Sequence, residues 1–157
     1  MGTVARRPSA VRALLGLLVL QGLSAIAGGT GLTLDPTGSE VGLDPNWLDG
    51  SPFADYLVPG VILLVVLGVG PLAVAFGLLR RARWSWAGSL WVGLALVIWI
   101  AVQVAVVGYI PRPPLQLAYG LLGLAILGTA LLAPVRRYLR PPAGVAASGS
   151  QSEREHA

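Results

Sequence analysis

The chain has 157 residues, of which 55% are hydrophobic and only 11% charged, against roughly a quarter charged in an ordinary soluble domain. Such a chain cannot cover a water-facing surface but can cover a lipid-facing one, and its length suits one compact unit. The net charge of +4 comes from arginines clustered beside apolar runs, a pattern of membrane flanks and not of nucleic-acid binding.

There is no lysine, and all eleven strongly basic side chains are arginine. With abundant Ala, Gly, Leu and Val, this bias suggests a GC-rich bacterial genome. The absence of cysteine excludes structural disulfides, thiol redox chemistry and thiolate metal sites. The single histidine, His156, is next to last, so a haem or zinc centre built on imidazole is not expected. The expected class is an all-α integral membrane four-helix bundle that uses no cofactor.

A membrane-crossing helix needs about 20 mostly apolar residues. The first such run covers about 11–29. Arg6 and Arg7, an apolar stretch and Ala25-Ile26-Ala27 also resemble a secretory signal with its cleavage site. The stretch is long for a signal core and carries Gly16, Gly22 and Ser24, which favours an uncleaved helix.

An outer loop over 30–57 follows. It is too long for a simple connector, and it is rich in turn chemistry. Leu34-Asp35-Pro36-Thr37-Gly38 reads as a turn, in which Asp accepts from backbone N–H groups and Pro presets φ. Leu43-Asp44-Pro45 precedes Asn46-Trp47-Leu48, with Asp44 as cap and Pro45 as first helical residue. Asp49-Gly50 ends that turn. Ser51-Pro52 then starts a second short helix through Phe53, Asp55 and Tyr56. Trp47, Leu48, Phe53 and Tyr56 are expected as interfacial anchors. The aspartates lack the ligand spacing of a calcium loop, and caps and turns account for them.

The second run covers 58–79. Pro71 removes a backbone hydrogen bond and crowds the carbonyl one turn earlier, which predicts a kink near Leu67. Arg80, Arg81 and Arg83 separate it from the third run, 87–108, and Arg112 is the only basic residue before the fourth, 117–133. Arg136, Arg137 and Arg140 come next. Residues 1–140 form one transmembrane domain in this reading, and 141–157, small and polar, read as a disordered cytoplasmic tail.

The arginines flank alternate ends of the runs, whereas the first loop carries Asp35, Glu40, Asp44, Asp49 and Asp55 and no basic residue. The positive-inside rule then places both termini in the cytoplasm of a multi-pass protein of the cell membrane. Trp84, Trp86, Tyr109 and Tyr138 lie at run ends, where amphipathic rings prefer the headgroup layer.

The stretches Leu34-Asp35-Pro36-Thr37-Gly38-Ser39, Trp47-Leu48, Ser51 to Gly60 and Trp99-Ile100-Ala101-Val102-Gln103 resemble a family of small four-span bacterial, actinobacterial-type membrane proteins of uncharacterised function. The resemblance implies the architecture and brings no activity.

Polar side chains in hydrocarbon face another helix or a wet cavity. They are Gln21 and Ser24 in the first run, Gln103 in the third, Tyr119 and Thr129 in the fourth, and Ser89 near an end. Trp91, Ala95, Trp99 and Gln103 share a helical face. Ala101, Ala105 and Gly108 lie on the other side, and Ser24 with Gly28 and Ala73 with Gly77 make small-residue pairs for helix packing. Ser24 and Gln103 have similar depths, and Tyr119 enters nearby. They either form an outward-facing polar pocket or share an interhelical hydrogen bond.

No intramembrane acid, base or nucleophile is present, so an enzyme is not expected. The leading expectation is a structural or accessory protein in the lipid bilayer, working with a membrane-protein partner or as a homo-oligomer. Its partner-facing loop would present Asp35, Asp44, Trp47, Asp49, Phe53 and Asp55. The alternative is a small-molecule or lipid-binding transporter that uses the pocket of Gln103, Ser24 and Tyr119. The orientation is tested by single cysteines in this cysteine-free chain. Ser39→Cys should react with an impermeant thiol reagent in intact cells, whereas Ser9→Cys and Ser148→Cys should react only after lysis. Labelling of Ser9→Cys in intact cells contradicts the orientation, and its absence even after lysis indicates signal cleavage.

Overall fold

The computed structural model describes residues 7–49 and 51–139. Arg6, Arg140 and the polar tail read as disordered lie outside them. Among the described residues the structure is all-helical, and three helices are long and apolar enough to cross a membrane. They are α1 (Ser9–Leu34), a rod over Leu57–Leu79, and α4 (Trp84–Val107). The rod consists of α2 (Leu57–Leu64), a π-helical segment (Val65–Val69) and α3 (Gly70–Leu79). α5 (Leu115–Leu131) and α6 (Ala133–Tyr138) complete the fold.

α1 runs five residues beyond the expected 29. Thr33 bonds back to the Gly29 carbonyl at 2.6 Å, and the helix stops where Asp35, the residue before Pro36, turns extended (φ −122°, ψ 88°). A residue preceding proline is driven out of the α region by its ring. α5 has only 17 residues, roughly 25 Å at 1.5 Å per residue. The chain turns extended at Leu132 (ψ 137°), and Pro134 opens α6. The fourth run is therefore a shorter helix than the other three, followed by a separate turn.

Where a kink was expected near Leu67, Pro71 coincides with a π-helical segment, Val65–Val69. It has no N–H for the carbonyl of Leu67, and the helix relaxes into the π-helical segment at that point. Such bulges mark places where the regular ladder is interrupted.

Glycines set how closely the helices approach. A Cβ built on Gly29 would lie 2.8 Å from Leu64 Cα, and one on Gly60 would lie 2.7 Å from Leu32 Cβ. Gly22 and Gly68 make a second close passage between the same helices. α1 therefore packs backbone to backbone on the α2–α3 rod. α5 does the same on α4 through Gly93 and Gly123, each of whose Cβ positions lies close to the other's carbonyl. The small residues that make these contacts are not the ones expected. Ala73, Ala101, Ala105 and Gly108 are exposed, and Gly77 instead makes room for the Trp84 ring.

The two helix pairs, α1 with α2–α3 and α4 with α5, join through α3–α4 and α1–α5 contacts. Most of the core lies at the arginine end, where Leu14, Leu18, Leu78, Ile126 and Val135 are fully buried. Trp86 donates its indole N–H to the Ala130 carbonyl at 3.1 Å. The Arg136 and Arg81 guanidinium groups lie over the Trp86 and Tyr138 rings at 5.5 and 4.7 Å, distances that fit cation–π attraction. At the loop end the buried apolar cluster is smaller, Ala25, Leu67 and Leu96, with Leu32 and Tyr56 buried apart from it.

The glycine passages make a contrast that can be tested. Gly29→Ala forces a methyl group into the backbone of Leu64, so the helices must separate, and overpacking of this kind costs roughly 1–3 kcal/mol. Gly16 has nothing within 4 Å of its Cβ position, so Gly16→Ala should be neutral or stabilising by up to about 1 kcal/mol, from helix propensity. Thermal unfolding in detergent separates the two, and equal melting temperatures would contradict the close packing.

Candidate functional site: a cavity at the loop end

α2 and α4 do not close on each other at the loop end, and a cavity of about 430 Å³ opens between the helix pairs. That volume is in the range of small-molecule sites. α1 supplies Gln21, Ser24, Ala25 and Gly28 to its wall, and α2 supplies Leu63. α4 contributes Leu96, Trp99, Ile100 and Gln103, and α5 contributes Gln116 and Tyr119. Trp47 and Tyr56 of the loop and Arg112 of the α4–α5 connection complete it.

The loop owes its shape to short-range polar contacts. Asp35 accepts from the Thr37 hydroxyl at 2.6 Å and amide at 3.1 Å, and from the Ser39 hydroxyl at 2.8 Å and the Glu40 amide at 2.9 Å. These donors, the Thr37 hydroxyl foremost, hold its carboxyl well below the usual carboxylate range. The turn is therefore held by an ionised Asp35 above the ordinary carboxylate pKa, and this support fades only as pH falls below that range. Asp44 accepts from the Asn46 amide at 2.9 Å and starts a 3₁₀ turn over Pro45–Leu48. A further 3₁₀ turn, Ser39–Val41, has no cap signature in the sequence.

Tyr56 ties both turns together. Its amide donates to the Pro36 carbonyl at 2.9 Å, its hydroxyl donates to the Asp44 carbonyl at 2.8 Å, and its ring packs against Gly38, whose φ of 76° suits glycine. Burial, and secondarily the Asp44 charge, raises the phenol pKa, so the hydroxyl remains a donor. Tyr56 is only 6% exposed. It pins the loop from beneath and is not an outward anchor. Trp47 also turns inward, onto the cavity. No helix forms after Ser51: its hydroxyl accepts from the Phe53 amide at 3.2 Å, a local turn that leaves Phe53 half-buried. Asp55, one residue before the α2 N-cap Tyr56, accepts from the Leu57 amide at 3.0 Å, and Asp49 is exposed.

Ser24, Gln103 and Tyr119 all line the cavity, yet they do not bond to one another. Ser24 donates back to the Gln21 carbonyl at 3.1 Å. Gln103 and Tyr119 make no side-chain hydrogen bond among the described residues, so the interhelical bond expected for Gln103 is not formed. Of the α4 face, Trp99 and Gln103 look into the cavity, whereas Trp91 is 70% exposed and points away.

The residue at the cavity floor is Gln21. It is 1% exposed, and its amide nitrogen donates to the Leu67 carbonyl at 3.2 Å. Its oxygen is buried and has no hydrogen-bond partner among the described residues. Gln116, absent from the expected polar inventory, closes the α4–α5 connection. It accepts from the Ile110 amide and donates to the Gly108 carbonyl, both at 2.9 Å. Its position two residues after Pro114 was the available signal.

No protein-family model matches the chain, and neither the curated proteins nor the solved structures contain a match.

Proposed function

We propose that this chain is a four-span protein of the cell membrane that binds a small, mostly apolar molecule from the outer side. The observation that carries the reading is the cavity at the loop end, walled by four helices and stopped by the packed arginine-end core. The arginine clusters orient that core toward the cytoplasm and the acidic loop outward. α5 is short for a bilayer core of about 30 Å. Local thinning and the flanking α6, with Arg136 and Arg137, accommodate the mismatch.

The wall holds one charged side chain, Arg112, in the connection between helices. Among the described residues no carboxylate lines the cavity, which suits binding better than proton-coupled transport through these helices. An accessory role with a membrane partner is a second reading. It is favoured by α4, whose Trp91, Ile98 and Val102 are exposed along its length. A stoichiometric protein copurifying from native membranes would support that reading.

Native mass spectrometry of the gently released protein tests the binding reading. We expect about one small lipophilic molecule per chain. Ser24→Phe combined with Gln103→Trp should abolish that adduct, because both side chains would fill the cavity, and Trp91→Leu should retain it. Similar melting temperatures for the variants separate loss of the site from loss of the fold. An adduct retained by the filled variant, or absent from the native protein, would refute the cavity as a binding site.

A further inference from the structure

We infer that the arginine end carries a second site, separate from the cavity, in which the Arg81 and Arg136 guanidinium groups hold the phosphate of an anionic phospholipid.

Both groups are positioned on aromatic rings. The Arg81 guanidinium lies 4.7 Å from the centre of the Tyr138 ring, and that of Arg136 lies 5.5 Å from the Trp86 ring. Trp86 is itself held by its bond to the Ala130 carbonyl, and both rings pack against the buried core. A ring attracts the cation over its face and takes none of its N–H donors. Arg137 spends a donor on the Ala133 carbonyl, but Arg81 and Arg136 spend none among the described residues. Every carboxylate among those residues lies in the loop between α1 and α2, at the opposite end.

The backbone at Arg81 points the same way. α3 closes with the Arg81 N–H on the Leu78 carbonyl at 3.2 Å and the Ala82 N–H on the Gly77 carbonyl at 2.8 Å. Glycine is the usual left-handed residue of this motif. Here it is Arg81, at φ 55°, the one non-glycine residue with positive φ among the described residues. Charge alone does not ask for arginine at that position, because Arg80 and Arg83 flank it. From that turn Arg81 reaches Tyr138 of α6, two residues after Arg136.

Planar guanidinium groups grip phosphate oxygens in pairs. The neighbouring surface assigns that phosphate to a lipid. Arg80 lies 4.9 Å over the ring of Phe76, and Phe76 and Trp84 are exposed, so apolar surface continues from the arginines onto the spanning helices. A phospholipid satisfies both surfaces, whereas free phosphate satisfies only the first. Basic sites between membrane helices recognise such headgroups.

Native mass spectrometry of the full chain, titrated with dioleoyl phosphatidylglycerol or dioleoyl phosphatidylcholine, gives the affinity for each lipid. We expect one saturable phosphatidylglycerol site, preferred over phosphatidylcholine by roughly tenfold from two basic contacts. Arg81→Gln with Arg136→Gln should erase the preference. Arg83→Gln with Arg137→Gln removes the same charge from the same end and should leave most of it. Equal loss in the two variants would overturn the inference, because charge alone would then attract the lipid. A native chain without the preference would overturn it too. Complete displacement of the lipid by excess glycerol phosphate would assign the site to a free anion and also overturn it. If Arg81→Gln with Arg136→Gln does not fold, Arg81→Lys with Arg136→Lys decides. A weakened preference at unchanged charge supports a guanidinium site, and an unchanged preference overturns it.

Discussion

A backbone carbonyl inside hydrocarbon has no water to turn to, and leaving one unsatisfied costs several kcal/mol. Two interruptions create this problem here. Pro71 cannot serve the Leu67 carbonyl, and the end of α5 at Leu131 leaves the Ala130 carbonyl without an intrahelical partner. In each case a side chain from a different helix supplies the missing proton: Gln21 of α1 for Leu67, and Trp86 of α4 for Ala130. These bonds join α1 to the α2–α3 rod and α4 to α5, the same pairs that the glycine passages bring together.

From those pairings follows the asymmetry of the molecule. At the arginine end, α3, α4, α5 and α6 converge on the start of α1 and enclose a continuous core. At the loop end the pairs diverge, and the gap is spanned by a loop and not by side chains. That loop can roof a cavity because its own polar groups are internally satisfied. Asp35 and Asp44 accept from nearby amides, and Tyr56 secures both turns from below. Beneath the cavity lies the Gln21 side chain, whose amide nitrogen serves the carbonyl that Pro71 leaves orphaned.

Much of this was legible in the sequence, wherever a local rule governs. The apolar runs marked the helices, Pro71 located the disturbance at Leu67, and Asp44-Pro45 marked a capped turn. Ser24, Gln103 and Tyr119 line one cavity without bonding to one another. What was not legible depends on distant partners. Nothing local shows that Tyr56 folds beneath the loop instead of facing outward, or that Gln21 and not Gln103 meets another helix's backbone. Glycine pairing was misassigned because many small residues share a helical face, and which of them touches is set by the neighbouring helix. Ser51-Pro52 satisfies the cap rule, but the Ser51 hydroxyl closes a tight turn at Phe53, and no helix propagates.

Gln21 compensates for Pro71, and a double-mutant cycle measures the compensation. Gln21→Met removes the donor, Pro71→Ala restores a backbone N–H to the Leu67 carbonyl, and unfolding in detergent gives the stability of each variant. The account predicts that Gln21→Met is costly while Pro71 is present and milder in the Pro71→Ala background by about 0.6–1.7 kcal/mol, the scale of buried hydrogen bonds in membrane helices. An equal cost in both backgrounds would show that the Gln21 amide serves no orphaned carbonyl, and would contradict the account.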